Sequence, residues 1–439
     1  MKRIGVISLG CAKNQVDTER MLGLLTTSGF ELVNNPAQAD ILIVNTCGFI
    51  ESAKQESIQA ILEMAQYKKN GTCETLVVTG CLSERYRAEL IEALPEVDYF
   101  LGVREYHKLP SLLGVRPSDQ ICAPLGCGAE RMLTTPFYSA YLRVADGCDN
   151  ICTYCAIPLI RGPLVSEPMR SLIDEAERLA DNGVTELTII AQDTSGYGID
   201  RYGAPKLTDL LSKLSTIDRL KWIRVLYTYP DTVTPDLIDF MRSHEKIVHY
   251  LDLPLQHIAD SVLTRMNRRG NGNYIRNLLG YIRSNADDFI LRTTMMVGFP
   301  GETDADFDEL MMFLKEFPFD RLGAFTFSPE DGTAAAVMPN QVPEDVKQAR
   351  LSALMTQQQG ISRLRAERRV GQITSILIEG SDETHLFGRS CAEAPDVDGR
   401  ILLPLDGGSP PIGTYVPVRL IRALEYDMIG ELLWTPSKE

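Results

Sequence analysis

Three times in the first 81 residues an apolar, β-rich run ends at a cysteine: VISLGC at Cys11, LIVNTC at Cys47 and LVVTGC at Cys81. The cysteines recur about every 35 residues, roughly one strand–helix–strand period of a parallel α/β sheet. Residues just past consecutive parallel strands share one edge, so three thiols in this phase are brought together by the fold. A lone cysteine after a strand is usually small apolar packing. Three in register, two of them preceded by a glycine (Gly10 and Gly80), are read as ligands of one metal cluster. The patterning predicts strands over 3–8, 40–45, 75–79 and 97–101, with helices over 15–28, 53–66 and 85–94. These make up an N-terminal Rossmann-like parallel α/β domain over 1–117.

A segment over 118–134, with Pro, Gly and Cys and no period, reads as a linker. A second βα series follows over 135–365. Strands are expected at 140–145, 186–191, 222–227, 249–254, 289–297 and 321–328, a partial (βα)6 barrel, before a helix over 344–370. The last part, 366–437, changes to short strands at 373–379, 384–390, 399–404 and 415–422 between Gly, Pro and Asp turns, a small all-β barrel. The whole chain is therefore a multidomain α/β protein.

The 439 residues carry a net charge of −15, which excludes an overall basic nucleic-acid footprint. With 44% apolar and 23% charged residues the chain is an ordinary globular one, not a disordered one. No apolar run approaches the roughly 20 residues of a membrane helix. The start, MKRIGVISLGC, has too short an apolar stretch for a secretory signal and reads as the first strand of a cytoplasmic protein. In that setting disulfides are not expected among the ten cysteines: clustered ones point to metal and scattered ones to small apolar packing.

The densest cysteine signal is Cys148-x3-Cys152-x2-Cys155, in ADGCDNICTYCAIP just after a predicted strand. Three thiolates can hold one centre from a single loop. A zinc site would need a fourth donor, and the next histidine is His244, far downstream. Three thiolates on a four-iron cluster leave one iron open. The spacing resembles the radical S-adenosylmethionine (SAM) superfamily, in which the open iron chelates the methionine end of SAM. Cys73, Cys122, Cys127 and Cys391 lack such context and read as structural.

Both triplets, in this order and on this domain plan, resemble the methylthiotransferases, over essentially the whole chain. SLGCAKNQVDTE, NTCGFIESAKQES, IPLIRGPLVSEP, AQDTSGYGID, YLDLPLQH, RTTMMVGFPGET and GRSCAEAPDVDG are similar to the RimO branch, which acts on ribosomal protein S12. One departure is Glu167 in SEP, where that family has Arg. The resemblance implies a central radical SAM domain, a C-terminal TRAM barrel and two [4Fe-4S] clusters, on Cys11, Cys47 and Cys81 and on Cys148, Cys152 and Cys155. It implies insertion of a methylthio group at the β-carbon of an S12 aspartate. One SAM supplies a 5′-deoxyadenosyl radical and a second supplies the methyl group. The β-hydrogen beside a carboxylate is too weakly acidic for a side-chain base, which is why such chemistry needs a radical.

For SAM, the resemblance points to Tyr154 in the cysteine loop, Gln192 and Asp193 after the second barrel strand, and Gln256 at the end of the fourth. Arg292 lies within the fifth, and Val297, Gly298 and Glu302, with Pro300 and Gly301, form the turn after it. His257 can serve as a proton carrier or as a structural histidine. Expected partners are S12, free or in the small subunit, an electron donor and a sulfur source, with direct RNA contact left open. From Arg363 onward there are nine Lys or Arg against twelve Asp or Glu. An acidic barrel suits a basic ribosomal protein better than tRNA. The other readings are a tRNA adenosine methylthiotransferase and a non-catalytic iron–sulfur scaffold.

Overall fold

The computed structural model describes residues 1–115, 131–405 and 409–433. Most of the expected linker, together with Cys122 and Cys127, lies outside the described residues. The chain divides into two compact units: 1–184 with 188–210 and 328–337, and 185–187 with 211–327 and 338–439.

The first unit opens with β1 (Arg3–Ser8), β2 (Glu31–Leu32), β3 (Ile41–Thr46), β4 (Thr75–Gly80) and β5 (Tyr99–Phe100). They form a parallel sheet in the order β2-β1-β3-β4-β5. The connecting helices are α1 (Ala12–Thr27), α2 (Glu51–Asn70), α3 (Cys81–Arg85), α4 (Arg87–Ala93) and the short α5 (Leu109–Leu112). Strand β3 shows why the chain folds this way: ILIVNT is buried on both faces, as a central parallel strand must be. Ile41 and Ile43 join Met21, Leu24 and Leu25 of α1 on one side. Leu42 and Val44 join Ile61 and Ala65 of α2 on the other.

The helix expected over 85–94 is α4, set off from α3 by a single residue. Tyr86, at φ −127° and ψ 31°, separates the two. Its hydroxyl donates to Asp331 Oδ2 at 2.9 Å, and Arg85 is drawn to Glu330 at 3.0 Å. These tertiary contacts accompany the bend, across which Tyr86 N still donates to Leu82 O at 3.0 Å and Tyr86 O accepts from Leu90 N at 2.9 Å.

Next come β6 (Ser139–Arg143), β7 (Ala145–Asp146), α6 (Ile157–Arg161), β8 (Val165–Ser166) and α7 (Met169–Asp181). The chain continues through β9 (Glu186–Ile190), α8 (Ile199–Tyr202) and α9 (Leu207–Leu214). The pairing of Ala145 with Ser166 joins β7 to β8 antiparallel. That pairing brackets the whole Cys148–Cys155 loop. Helix α7 buries Leu172, Ala176 and Leu179, one face at helical spacing.

The second unit continues with β10 (Trp222–Val225), α10 (Pro235–Arg242), β11 (Tyr250–Gln256), α11 (Asp260–Arg265) and α12 (Gly272–Asn285). It then runs through β12 (Ile290–Val297), α13 (Asp304–Glu316), β13 (Arg321–Thr326) and α14 (Glu344–Glu367). Strands β11, β12 and β13 are parallel neighbours. Thr303 caps α13, exchanging bonds with Asp306 in a capping box.

The terminal barrel has five strands, where the sequence predicts four. They are β14 (Ile373–Ser381), β15 (His385–Arg389), β16 (Ile401–Pro404), β17 (Tyr415–Ala423) and β18 (Met428–Leu432). The unexpected β18 pairs parallel with β16 and antiparallel with β17, closing the barrel. Its MIGEL sequence is short and broken by Gly430, so it carries little alternation of its own. Alternate residues of the other strands, such as Ile376, Ile378, Val416, Val418 and Leu420, fill the interior. Among the described residues no helix is long and apolar enough to cross a membrane.

Candidate functional site

Cys11, Cys47 and Cys81 stand just beyond β1, β3 and β4, which are adjacent in the sheet. Cys11 caps α1, Cys47 follows β3 directly and Cys81 begins α3. The glycines before Cys11 and Cys81 are required by the crowding there. Gly10 has φ +92°, and a Cβ on it would lie 2.9 Å from Cys47 Cβ and 3.1 Å from Cys47 Sγ. Gly80 has φ +99°, and its Cβ would meet Thr46 O at 2.4 Å. Only a residue without a side chain lets the strand ends approach this closely.

Neighbouring polar groups hold the strand ends. Asn14 Nδ2 donates to Leu9 O at 2.7 Å and to Thr46 O at 3.1 Å. Ser57 Oγ accepts from Cys47 N at 3.0 Å and donates to Cys47 O at 2.8 Å. Burial pushes the Cys47 thiol up, and burial pushes Cys81 up to about 12 against the opposing charge of Arg161.

The second triplet lies in the loop between β7 and α6, with all three cysteines half-buried. Its backbone is folded back on itself: Cys155 N donates to Cys152 O at 3.0 Å, and Cys148 N donates to Gly162 O at 3.1 Å. Ile157 N donates to Cys155 Sγ at 3.4 Å. Burial pushes the Cys148 thiol up to about 11. Both triplets belong to the first unit. Cys81 itself packs with Ala156 and Ile160, immediately after the loop.

Between the triplets sits a buried ionic cluster that no local pattern announces. Asp17 accepts from Arg143 and, at 2.9 Å, from Arg161. Arg161 also donates to Asp146 Oδ1 at 3.0 Å. Burial alone would raise the Asp146 carboxyl, but Arg143 and Arg161 hold it down at about 2. The sequence signal was faint: Asp17 lies on a helix face with Asn14 and Thr18, and Arg161 is the one charge in AIPLIRG.

The residues expected near SAM fall in both units. In the first, Tyr154 is half-buried in the cysteine loop. Gln192 Nε2 donates to Asp146 Oδ1 at 3.2 Å, and its Oε1 is buried without a partner among the described residues. Asp193 Oδ2 accepts from Asn150 Nδ2 at 2.6 Å, which ties it to the loop. Its other oxygen accepts from Ser195 Oγ at 2.8 Å and Gly196 N at 3.1 Å.

In the second unit, Gln256 ends β11 at φ +71°, and its Oε1 is likewise buried and unpartnered among the described residues. Arg292 donates to Asp252 Oδ1 at 2.8 Å, a cross-strand ion pair. Val297 ends β12, and Gly298 turns at φ +72° where a Cβ would strike Lys347 Cγ at 2.2 Å. Glu302 accepts from Gly298 N at 2.8 Å, from Phe299 N at 3.2 Å and from Arg350 Nη1 at 2.8 Å. Its carboxylate is thus committed to its own turn, and Arg350 is a supporting residue that the sequence reading missed. His257 is fully buried, accepts from Ala259 N at 3.1 Å, and is pushed down to about 3 by burial.

The donor chemistry fits the groups expected here. Thiol-only triplets suit iron–sulfur clusters better than harder metals. Among the described residues no three His, Cys, Asp or Glu side chains converge on a single-ion position. The orphaned carboxamide oxygens of Gln192 and Gln256 each call for a donor, such as a ligand amine or ribose hydroxyl.

The Radical SAM superfamily model matches residues 142–314, the TRAM domain model residues 370–433, and the model described as Uncharacterized protein family UPF0004 residues 3–102. Two solved structures share the fold. The radical SAM methyltransferase TsrM from Kitasatospora setae, bound to cobalamin and a [4Fe-4S] cluster, matches at TM-score 0.57 and 13% identity over 76% of this chain and 77% of that one. The cobalamin-dependent SAM radical enzyme OxsB, bound to aqua-cobalamin and SAM, matches at TM-score 0.50 and 11% identity over 81% and 56%. The class is therefore a radical SAM enzyme flanked by UPF0004 and TRAM domains.

Closer relatives narrow it. A ribosomal protein uS12 methylthiotransferase RimO from Syntrophotalea carbinolica is 45% identical over 98% of this chain and 97% of its own length. A protein of the same name from Clostridium perfringens is also 45% identical over 98% and 97%. The chain belongs to the RimO family.

Proposed function

We propose that this chain is a ribosomal protein uS12 methylthiotransferase that modifies the β-carbon of an aspartate, consuming one SAM as radical source and one as methyl donor. The observation that supports it most is the meeting of Cys11, Cys47 and Cys81 at one sheet edge, in the same unit as the Cys148–Cys155 loop. In this reading each triplet holds a [4Fe-4S] cluster. When bound, these clusters and SAM supply the radical that removes an unactivated hydrogen and the sulfur that replaces it.

The chain's own groups bind and orient. Gln192 and Gln256 present their free carboxamide oxygens to SAM, and Asp193 holds the loop through Asn150. Tyr154, Arg292, Val297 and Gly298 complete the SAM contacts. Glu302 keeps the Gly298 turn in shape and acts on SAM only through it. The domains run over 1–117, 135–365 and 366–437, and the protein works in the cytoplasm with an external electron donor and sulfur source.

Intact-mass measurement of uS12 from cells with and without this protein tests the reading. A mass gain of one methylthio group on uS12, dependent on the protein, is expected. Unmodified uS12 together with newly methylthiolated tRNA overturns it.

A further inference from the structure

The guanidinium of Arg161 does more than balance two carboxylates. Its Nη2 donates to Asp17 Oδ2 at 2.9 Å and to Asn14 Oδ1 at 3.4 Å, and also lies 3.8 Å from Cys81 Sγ, within range of an N–H···S bond. Its Nη1 donates to Asp146 Oδ1 at 3.0 Å. With partners on three sides the fork has one orientation, and its side chain is only 2% exposed. A charge so placed acts through a medium of low dielectric. Arg161 also ends α6, next to Gly162, whose carbonyl accepts from Cys148 N at 3.1 Å. One short segment therefore anchors one cysteine loop by its backbone and touches a cysteine of the other triplet by its side chain.

We propose that Arg161 is a positioning residue for the iron–sulfur group of Cys11, Cys47 and Cys81, fixing the Cys81 sulfur and raising that group's reduction potential. The inference rests on the reading that these three cysteines ligate such a group. Its physical basis is charge. Asp17 and Asp146 are already neutralised by Arg143, Arg161 and, at 3.8 Å, Arg104, so the ligating thiolates bring the unmatched negative charge that Arg161 faces. An N–H donor and a fixed cation at a ligating sulfur stabilise the reduced, more negative state. A brace acting only on Asp17 and Asp146 would alter stability and leave the potential of an intact cluster where it was.

The test uses the full chain carrying Cys148→Ala, Cys152→Ala and Cys155→Ala, so that only the N-terminal group is loaded, reconstituted anaerobically. Redox titration followed by electron paramagnetic resonance is compared with and without Arg161→Gln and Arg161→Lys. At equal iron content, Arg161→Gln shifts the potential negative and changes the spectrum, and Arg161→Lys shifts it less in the same direction. An unchanged potential and spectrum in both variants overturns the proposal. If Arg161→Gln takes up no iron, Arg161→Lys decides by the same criterion. If neither variant loads, Arg161 is a brace needed to form the pocket rather than a charge tuning the group within it, and the proposal fails. A background protein that takes up no iron contradicts the ligand assignment itself, before Arg161 is tested.

Discussion

The two cysteine triplets are built in opposite ways. Cys148, Cys152 and Cys155 sit in one loop whose own backbone folds them together. Cys11, Cys47 and Cys81 are each delivered by a different strand, and they meet only because β1, β3 and β4 are neighbours. The loop is local and half-buried. Both lean on crowded glycines, Gly10 and Gly80 at the sheet edge and Gly147 before the loop, and on the buried Asp17–Arg161–Asp146 cluster; the sheet edge needs Asn14 and Ser57 as well. The contrast teaches that equal ligand counts can rest on unequal amounts of fold.

The largest expected effects separate the triplets chemically. Cys148→Ala should abolish both SAM cleavage and uS12 modification, read as 5′-deoxyadenosine by chromatography and as uS12 mass. Cys81→Ala should abolish uS12 modification while 5′-deoxyadenosine formation stays within about tenfold, roughly 1.4 kcal/mol in barrier. Equal loss of both products in Cys81→Ala would erase the distinction.

Gly10→Ala sharpens the comparison at the level of folding. A side chain at φ +92° that also meets Cys47 should cost about 2–4 kcal/mol. Iron uptake by the N-terminal triplet should fall while the loop triplet still loads. Parallel iron analysis in backgrounds lacking one triplet or the other measures this, and equal loss from both would break the contrast.

His257, in the second unit, is a test on a residue that belongs to neither triplet. Burial lowers its pKa from 6.5 to about 3, so the unfolded chain binds the extra proton as pH falls below 6.5. Stability held near neutrality is therefore lost on acidification, by about 2 kcal/mol at pH 5. Thermal unfolding of His257→Gln should show a shallower acid slope than the natural sequence, with the iron content of both triplets unchanged. Identical slopes would show that His257 is not held neutral.

Ser57→Ala should have the smallest effect, about 1 kcal/mol, from losing the hydroxyl that engages both backbone groups of Cys47. A small loss of iron confined to the N-terminal triplet is expected. A loss at the loop instead would mean that the two sites are not separately supported.

Much of this was legible in the sequence for a physical reason. Apolar runs such as ILIVNT can satisfy burial on two faces only as central strands, and their spacing then fixed the phase of Cys11, Cys47 and Cys81. The contiguous triplet needed nothing beyond its own spacing. What escaped depends on partners distant along the chain. Asp17 and Arg161 are 144 residues apart, and nothing local pairs them. The bend at Tyr86 bonds to Asp331, 245 residues on. The β18 strand exists because β16 and β17 leave a place for it. Glu302 shows a related limit: a resemblance can mark a position near a ligand, yet only coordinates reveal that its carboxylate is occupied by Gly298, Phe299 and Arg350.

Three ligands on three strands also impose a timetable. Gathering Cys11, Cys47 and Cys81 means closing two loops of roughly 35 residues, whereas the Cys148–Cys155 grip closes two of only three or four. A full-length, partly unfolded chain can therefore close the later grip at less entropic cost than the earlier one. Maturation of the N-terminal centre has to wait for the sheet, so a variant that folds slowly would accumulate half-loaded.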